Sequence, residues 1–184
     1  MNQMANFEKV SFEQYLNDFK KLFPEIDISS QNVLNQIKNE YSNIKLPKRA
    51  TAQSAGYDFY SPINFDLYRC DHEYELRGNK GVEITIPTGI RCRMNGDYVL
   101  LCFPRSSLGF KYKLMFANTI PVIDADYYFA KNEGHIILKL VNRENNLITI
   151  KAGDRFAQGI FIPYGITVDD DATAVRTGGF GSTN

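Results

Sequence analysis

The sequence predicts an all-β core, a sandwich or jelly roll, preceded by a short α-helical N-terminal extension. Three observations lead there. Apolar residues recur at helical spacing up to about residue 46, and at a period of two from Lys45 onward. Downstream of that change, short alternating runs are separated by turn-forming residues, the pattern of antiparallel strands rather than of an α/β fold. No internal repeat interrupts the series.

In the extension, residues 1–46, Phe12, Tyr15, Leu16 and Phe19 and then Val33, Leu34, Ile37 and Tyr41 fall on two amphipathic faces, which predicts two short helices separated at Pro24. Ser11 stands three residues before Gln14, a capping-box pattern. This region holds no chemical motif, so its expected role is packing, onto the core or a neighbouring chain; a protein partner is the other reading. In the core, residues 47–170, Val82, Ile84 and Ile86 alternate with polar residues, as do Ile90, Cys92 and Met94. Asn95-Gly96 predicts a tight hairpin into a strand over 98–103. Strands over 136–141, 147–151 and 156–163 follow, with Glu144-Asn-Asn146 and Gly153-Asp154 as the intervening turns. The acidic triplet at 169–171 reads as a solvated loop.

Composition narrows the function classes. The 184 residues carry 21 basic and 21 acidic side chains, so there is no overall positive field to hold nucleic acid or an anionic membrane. The longest apolar runs are too short to span a bilayer, and the N-terminus lacks the apolar stretch of a signal peptide, so a cytoplasmic location is expected. Cys70, Cys92 and Cys102 show no CxxC spacing, and His72 and His135 are isolated, which argues against zinc. Cys92 and Cys102 read as reduced, buried strand residues.

Three segments could carry chemistry. Pro104-Arg-Ser-Ser-Leu-Gly-Phe-Lys111 ends a strand with a guanidinium fork, two hydroxyls and a glycine that frees the backbone, a corner able to bind phosphate, although Arg-Ser at a turn is also common. In Asn118-Thr-Ile-Pro-Val-Ile-Asp-Ala-Asp-Tyr127 two carboxylates stand two apart; extended backbone would put both on one side, as a general base with its neighbour or as a solvated strand end. The tail, residues 171–184, ends in Arg176-Thr-Gly-Gly-Phe-Gly-Ser-Thr-Asn184, which reads as a flexible arm, either idle or a lid whose ring stacks on a base while its arginine and hydroxyls meet phosphates.

Taken in order, Ala55-Gly-Tyr-Asp-Phe-Tyr-Ser61, Pro104-Arg-Ser-Ser-Leu108, Asn118 through Tyr127, Arg155-Phe-Ala-Gln158 and Gly178-Gly-Phe-Gly-Ser-Thr183 resemble the five motifs of the trimeric dUTPase family. The resemblance runs from about Ile44 to Asn184. It implies a jelly-roll homotrimer that hydrolyses dUTP to dUMP and pyrophosphate with Mg2+, its sites lying at subunit interfaces. By that resemblance Asp124 is the base that activates water, and Asp126 is structural. Asn118 and the backbone of Val122 and Ile123 read uracil, Tyr127 lies against the deoxyribose and excludes a 2'-hydroxyl, and Phe180 stacks on the base. Arg105, Ser106, Ser107, Gln158, Arg176, Ser182 and Thr183 hold phosphates, and Asp58 reaches Mg2+ through water.

The chain departs from the family pattern at named places. Pro121 replaces a usual glycine, as does Ser107; a short insertion, Tyr128-Phe-Ala-Lys-Asn-Glu133, follows Tyr127; and Arg176 stands one residue closer to its Gly-Gly pair. A dCTP deaminase shares the fold and the Arg-Ser-Ser corner but needs a glutamate; Glu133 is the only one nearby, and Asp-Ala-Asp-Tyr argues against that activity. A regulatory binding module that has kept the fold is the remaining alternative.

Overall fold

A strand opens the chain ahead of the two helices. β1 (Ala5–Lys9) pairs antiparallel with β6 (Ile90–Met94), Phe7 opposite Cys92. Only Phe7 of its five residues is buried, so no alternation was there to read. The helices form where expected, α1 (Phe12–Leu22) and α2 (Gln31–Ser42). Ser11 caps α1 by accepting the Gln14 N–H at 3.1 Å. The returning half of the capping box comes from elsewhere: Gln14 turns its amide to Asp18, and Glu133 accepts the Ser11 N–H at 2.8 Å from 122 residues away. Lys9 caps the far end of α2 through the Tyr41 and Ser42 carbonyls.

This computed structural model describes residues 4–68, 83–143, 146–176 and 178; Cys70, His72, Val82, the Glu144-Asn145 turn, Phe180, Ser182 and Thr183 lie outside them. The core is an all-β jelly roll. Its five-stranded sheet runs in the order β2 (Lys48–Arg49), β3 (Tyr57–Tyr60), β12 (Arg155–Pro163), β7 (Tyr98–Pro104) and β9 (Val122–Ile123). A three-stranded sheet follows β5 (Glu83–Pro87), β10 (Ile137–Asn142) and β8 (Leu114–Phe116), and β4 (Phe65–Leu67) pairs with β11 (Ile148–Ile150). α3 (Ser106–Tyr112) links β7 to β8. Phe7 seals the β1–β6 pair onto the large sheet, its ring 5.5 Å from Tyr57 and 5.6 Å from Phe59 and Phe161.

The extension belongs to the same hydrophobic core. Val10, Tyr15, Phe19, Phe23 and Ile37 are buried in one cluster with Ile86, Ile90, Ile136 and Leu138. Among the described residues no helix is long and apolar enough to cross a membrane.

Three local expectations need correction. Asn95-Gly96 does turn the chain, Tyr98 N–H meeting the Asn95 carbonyl at 3.1 Å, but it joins two sheets instead of closing a hairpin: β6 pairs with β1, and β7 with β12 and β9. A two-residue hairpin centred on Asn95-Gly96 needs positive φ at both residues, and neither adopts it. Gly109 does not free the corner after β7 but sits inside α3, and Lys113 takes the left-handed position at φ 46°. Asp126 lies in a 3-10 turn, Ala125–Phe129, so the two carboxylates do not share a strand face.

Candidate active site

β12 gathers the first, second and fourth motif segments. Gln158 stands opposite Asp58 on one side and Phe103 on the other. Asp58, 7% exposed, points Oδ1 at Arg105 Nε (3.1 Å) and Oδ2 at Arg155 Nη1 (3.2 Å). Arg155 is a site residue that motif spacing alone does not single out, its only signal being its place three residues before Gln158. Gln158 donates to the Pro104 carbonyl at 3.4 Å, and a Cβ on Gly56 would stand 2.6 Å from its Oε1, so glycine there makes room for the amide. Ser106 and Ser107 are exposed on the first turn of α3.

The third segment runs antiparallel along β7, with Pro121 meeting Cys102 and Ile123 opposite Leu100, so Asp124 emerges at the end away from Arg105. Asn118 is exposed in a loop where Thr119 takes φ 65°. That loop is not a hairpin tip, because β8 is laddered to β10 and β9 to β7. Pro121 is buried and its carbonyl accepts the Cys102 N–H at 3.0 Å, but it has no N–H to return the reciprocal bond of that pair, and β9 begins one residue later. Val122 is 53% exposed while Ile123 is buried, so the two present different groups outward.

Asp124 heads the 3-10 turn from an extended conformation, its side chain 51% exposed. Arg176, arriving from the arm, donates to Asp124 at 2.9 Å and Asp126 at 3.2 Å, with its guanidinium carbon 5.4 Å from the Tyr127 ring centroid. Tyr127 is 3% exposed; its hydroxyl donates to the His135 carbonyl at 2.8 Å and accepts from Asn132 at the same distance. Burial, tempered by the Asn132 bond, pushes that phenol up to about 12, so it stays a donor. Directly beneath, Gly134 at φ 68° brings backbone so close that a Cβ would stand 2.7 Å from the Tyr127 carbonyl oxygen.

A family model described as dUTPase matches residues 42–184. The chain belongs to the dUTPase family. It is 35% identical over 153 residues to the deoxyuridine 5'-triphosphate nucleotidohydrolase of Lactococcus lactis, spanning 80% of this chain and 95% of that one. To the same-named protein of Ehrlichia canis it is 33% identical over 158 residues, 82% and 94% of the two chains. The crystal structure of dUTPase from Streptococcus mutans superposes with a TM-score of 0.56 at 34% identity, over 68% of this chain and 90% of that one. The dUTPase match begins at residue 42, so β1, α1 and nearly all of α2 precede it.

Proposed function

We propose that this member of the dUTPase family is a dUTP diphosphatase that hydrolyses dUTP to dUMP and pyrophosphate in the cytoplasm. The observation that carries the mechanism is Asp124: an exposed carboxylate at the head of a rigid turn, with a buried tyrosine behind it and the arm's arginine beside it. Asp124 accepts a proton from water as the water oxygen bonds to the α-phosphorus. The bond from that phosphorus to the bridging oxygen breaks, and pyrophosphate leaves with the electron pair. Asp126 shares Arg176 and stays structural. Asn118 and the Val122–Ile123 backbone contact uracil, and the Tyr127 ring abuts the deoxyribose. Phe180 covers the base, and Arg105, Ser106, Ser107, Gln158, Arg176, Ser182 and Thr183 bind the phosphates.

The spacing along β7 supports a site shared between copies. Asp124 follows Ile123, which pairs with Leu100, whereas Arg105 lies at the strand's other end, about 20 Å away at ~3.3 Å per residue. A triphosphate alone is shorter than that separation, which favours phosphate-binding residues supplied by a neighbouring copy, and a homotrimer with interfacial sites is the assembly we propose.

Family membership is consistent with divalent-metal use, and Mg2+ is the ion we propose. Among the described residues no group of three or more His, Cys, Asp and Glu could enclose an ion. Mg2+ bound with substrate phosphates needs only one or two carboxylates, and Asp58 beside Arg105 fits that need. Both Asp58 oxygens already face guanidinium groups, which suits contact through water. When bound, the ion neutralises charge on the triphosphate and its leaving group.

A deaminase reading is not favoured, because Glu133 is committed to Ser11 and Arg91. The test is product analysis with Mg2+ and dUTP, dCTP, dTTP or UTP, beside an Asp124→Asn variant. Release of dUMP and pyrophosphate from dUTP alone, lost in the variant, is the expected result. Ammonia from dCTP, or full turnover by the variant, overturns it.

A further inference from the structure

The extension, which precedes nearly all of the dUTPase match, grips the segment that carries Tyr127 at three points. Glu8 of β1 accepts from the Tyr128 hydroxyl at 2.8 Å. Ser11, heading α1, gives both its N–H and its hydroxyl to Glu133, at 2.8 and 2.6 Å. Asp18, inside α1, meets His135 Nδ1 at 2.7 Å. The insertion after Tyr127 therefore serves as the receiving surface for the extension, and Arg91 reinforces it by stacking 3.7 Å from the Tyr128 ring centroid.

The third contact reaches furthest into the site. His135 is fully buried, and Gly89 N–H donates to its Nε2 at 2.8 Å. That nitrogen is consequently the acceptor, the proton sits on Nδ1, and Nδ1–H donates to Asp18. The carbonyl of the same His135 accepts the Tyr127 hydroxyl. Asp18 is itself 5% exposed and takes a second donor, the Gln14 amide at 2.8 Å. Burying a carboxylate on a helix face that could have been apolar is costly unless the ion is fully bonded, and here every bond it makes fixes His135 or the helix that faces it.

We propose that Asp18 is a positioning residue for the reaction: by locking the His135 imidazole it fixes the backbone carbonyl that holds Tyr127, and so sets how closely the Tyr127 ring abuts the sugar. This rests on the reading, given above, that Tyr127 excludes a 2'-hydroxyl. Asp18 touches no substrate. Its contribution is to hold a ring whose displacement by a fraction of an ångström opens space beside C2', and misplacement on that scale carries large rate effects.

The readout is the ratio of kcat/KM for dUTP to that for UTP, measured on the full chain with Mg2+ well below each variant's unfolding temperature. Asp18→Ala is expected to lower that ratio about tenfold. Asp18→Asn keeps the shape and an acceptor for Nδ1–H but loses the charge, and is expected to fall between the two, about two- to threefold below the parent. Leu16→Ala, partly buried on the same helix two positions before Asp18 and so on another face, controls for stability and is expected to leave the ratio unchanged. A parent-like ratio in Asp18→Asn and in Asp18→Ala overturns the proposal; if the alanine variant does not fold, the asparagine variant alone decides. Tyr127→Leu separates the two levels. A lowered ratio there with unchanged Asp18 variants removes the positioning role and leaves the Tyr127 reading intact. An unchanged ratio in Tyr127→Leu removes both.

Discussion

Arg176 directs one guanidinium nitrogen at two carboxylates, 2.9 Å from Asp124 and 3.2 Å from Asp126. Two like charges so close in sequence need a cation, and the arm supplies it. Burial alone would lower the arginine's pKa, but the aspartates more than offset it, so the group stays charged. In the substrate complex we propose, the same guanidinium binds a phosphate, a charge-assisted contact of about 1.5–3 kcal/mol that the alanine variant deletes. Arg176→Ala is therefore expected to raise KM for dUTP roughly 10- to 100-fold, as steady-state kinetics would show. An unchanged KM would mean that Arg176 does not contact substrate.

Phe19 sits in the buried cluster that the extension shares with the β core. It is fully buried in α1, its ring 4.8 Å from Phe23 and 6.2 Å from Tyr15. Phe19→Ala is expected to cost about 3–5 kcal/mol in urea unfolding, the range for a buried aromatic. A cost below about 1 kcal/mol would show the helix to be a surface appendage.

The helices were legible because Phe12, Tyr15, Leu16 and Phe19 repeat strongly at helical spacing, and the longer strands because Ile90, Cys92 and Met94, for example, alternate cleanly. β1 was not, for its five residues bury one side chain and its pairing with β6 lies far away in sequence. The Asn95-Gly96 turn misled for a related reason: turn chemistry specifies local backbone, whereas the choice of partner strand is tertiary. The motif segments could be located from residue types, and β12 does bring Asp58, Arg105 and Gln158 together. What no local pattern could reveal was the pairing of Asp18 with His135 or of Ser11 with Glu133, since each joins residues more than a hundred positions apart.

The Asp18 carboxyl gives the fold an acid-sensitive component. Burial pushes its pKa up, but the hydrogen bonds from His135 and Gln14, with Lys21 nearby, outweigh this and hold it below the ordinary 3.8. A group whose folded pKa is depressed stabilises fully above its unfolded pKa and loses that contribution as pH falls through the folded one. The stability gap between the parent and Asp18→Asn is therefore expected to be constant from neutral pH to about pH 5 and to shrink below about pH 4. Chemical denaturation at a series of pH values measures it; a gap that widens on acidification would contradict the assignment.

Cys92 and Cys102 are buried free thiols, and burial pushes each up to about 12. Neither forms thiolate near neutral pH. Mass spectrometry after brief alkylation at about pH 8 is expected to find both unmodified in the folded protein and both modified in denaturant. Rapid labelling of Cys102 in the native state would show that β7 opens readily.

The role of Asp124 is most directly tested by a single turnover of dUTP in 18O-labelled water with Mg2+, followed by mass analysis of both products. Attack at the α-phosphorus places the label in dUMP, and Asp124→Asn should slow that step by about 10²–10⁴-fold without moving the label. Label in pyrophosphate would place the attack on the β-phosphorus, and an undiminished rate in the variant would remove Asp124 as the base.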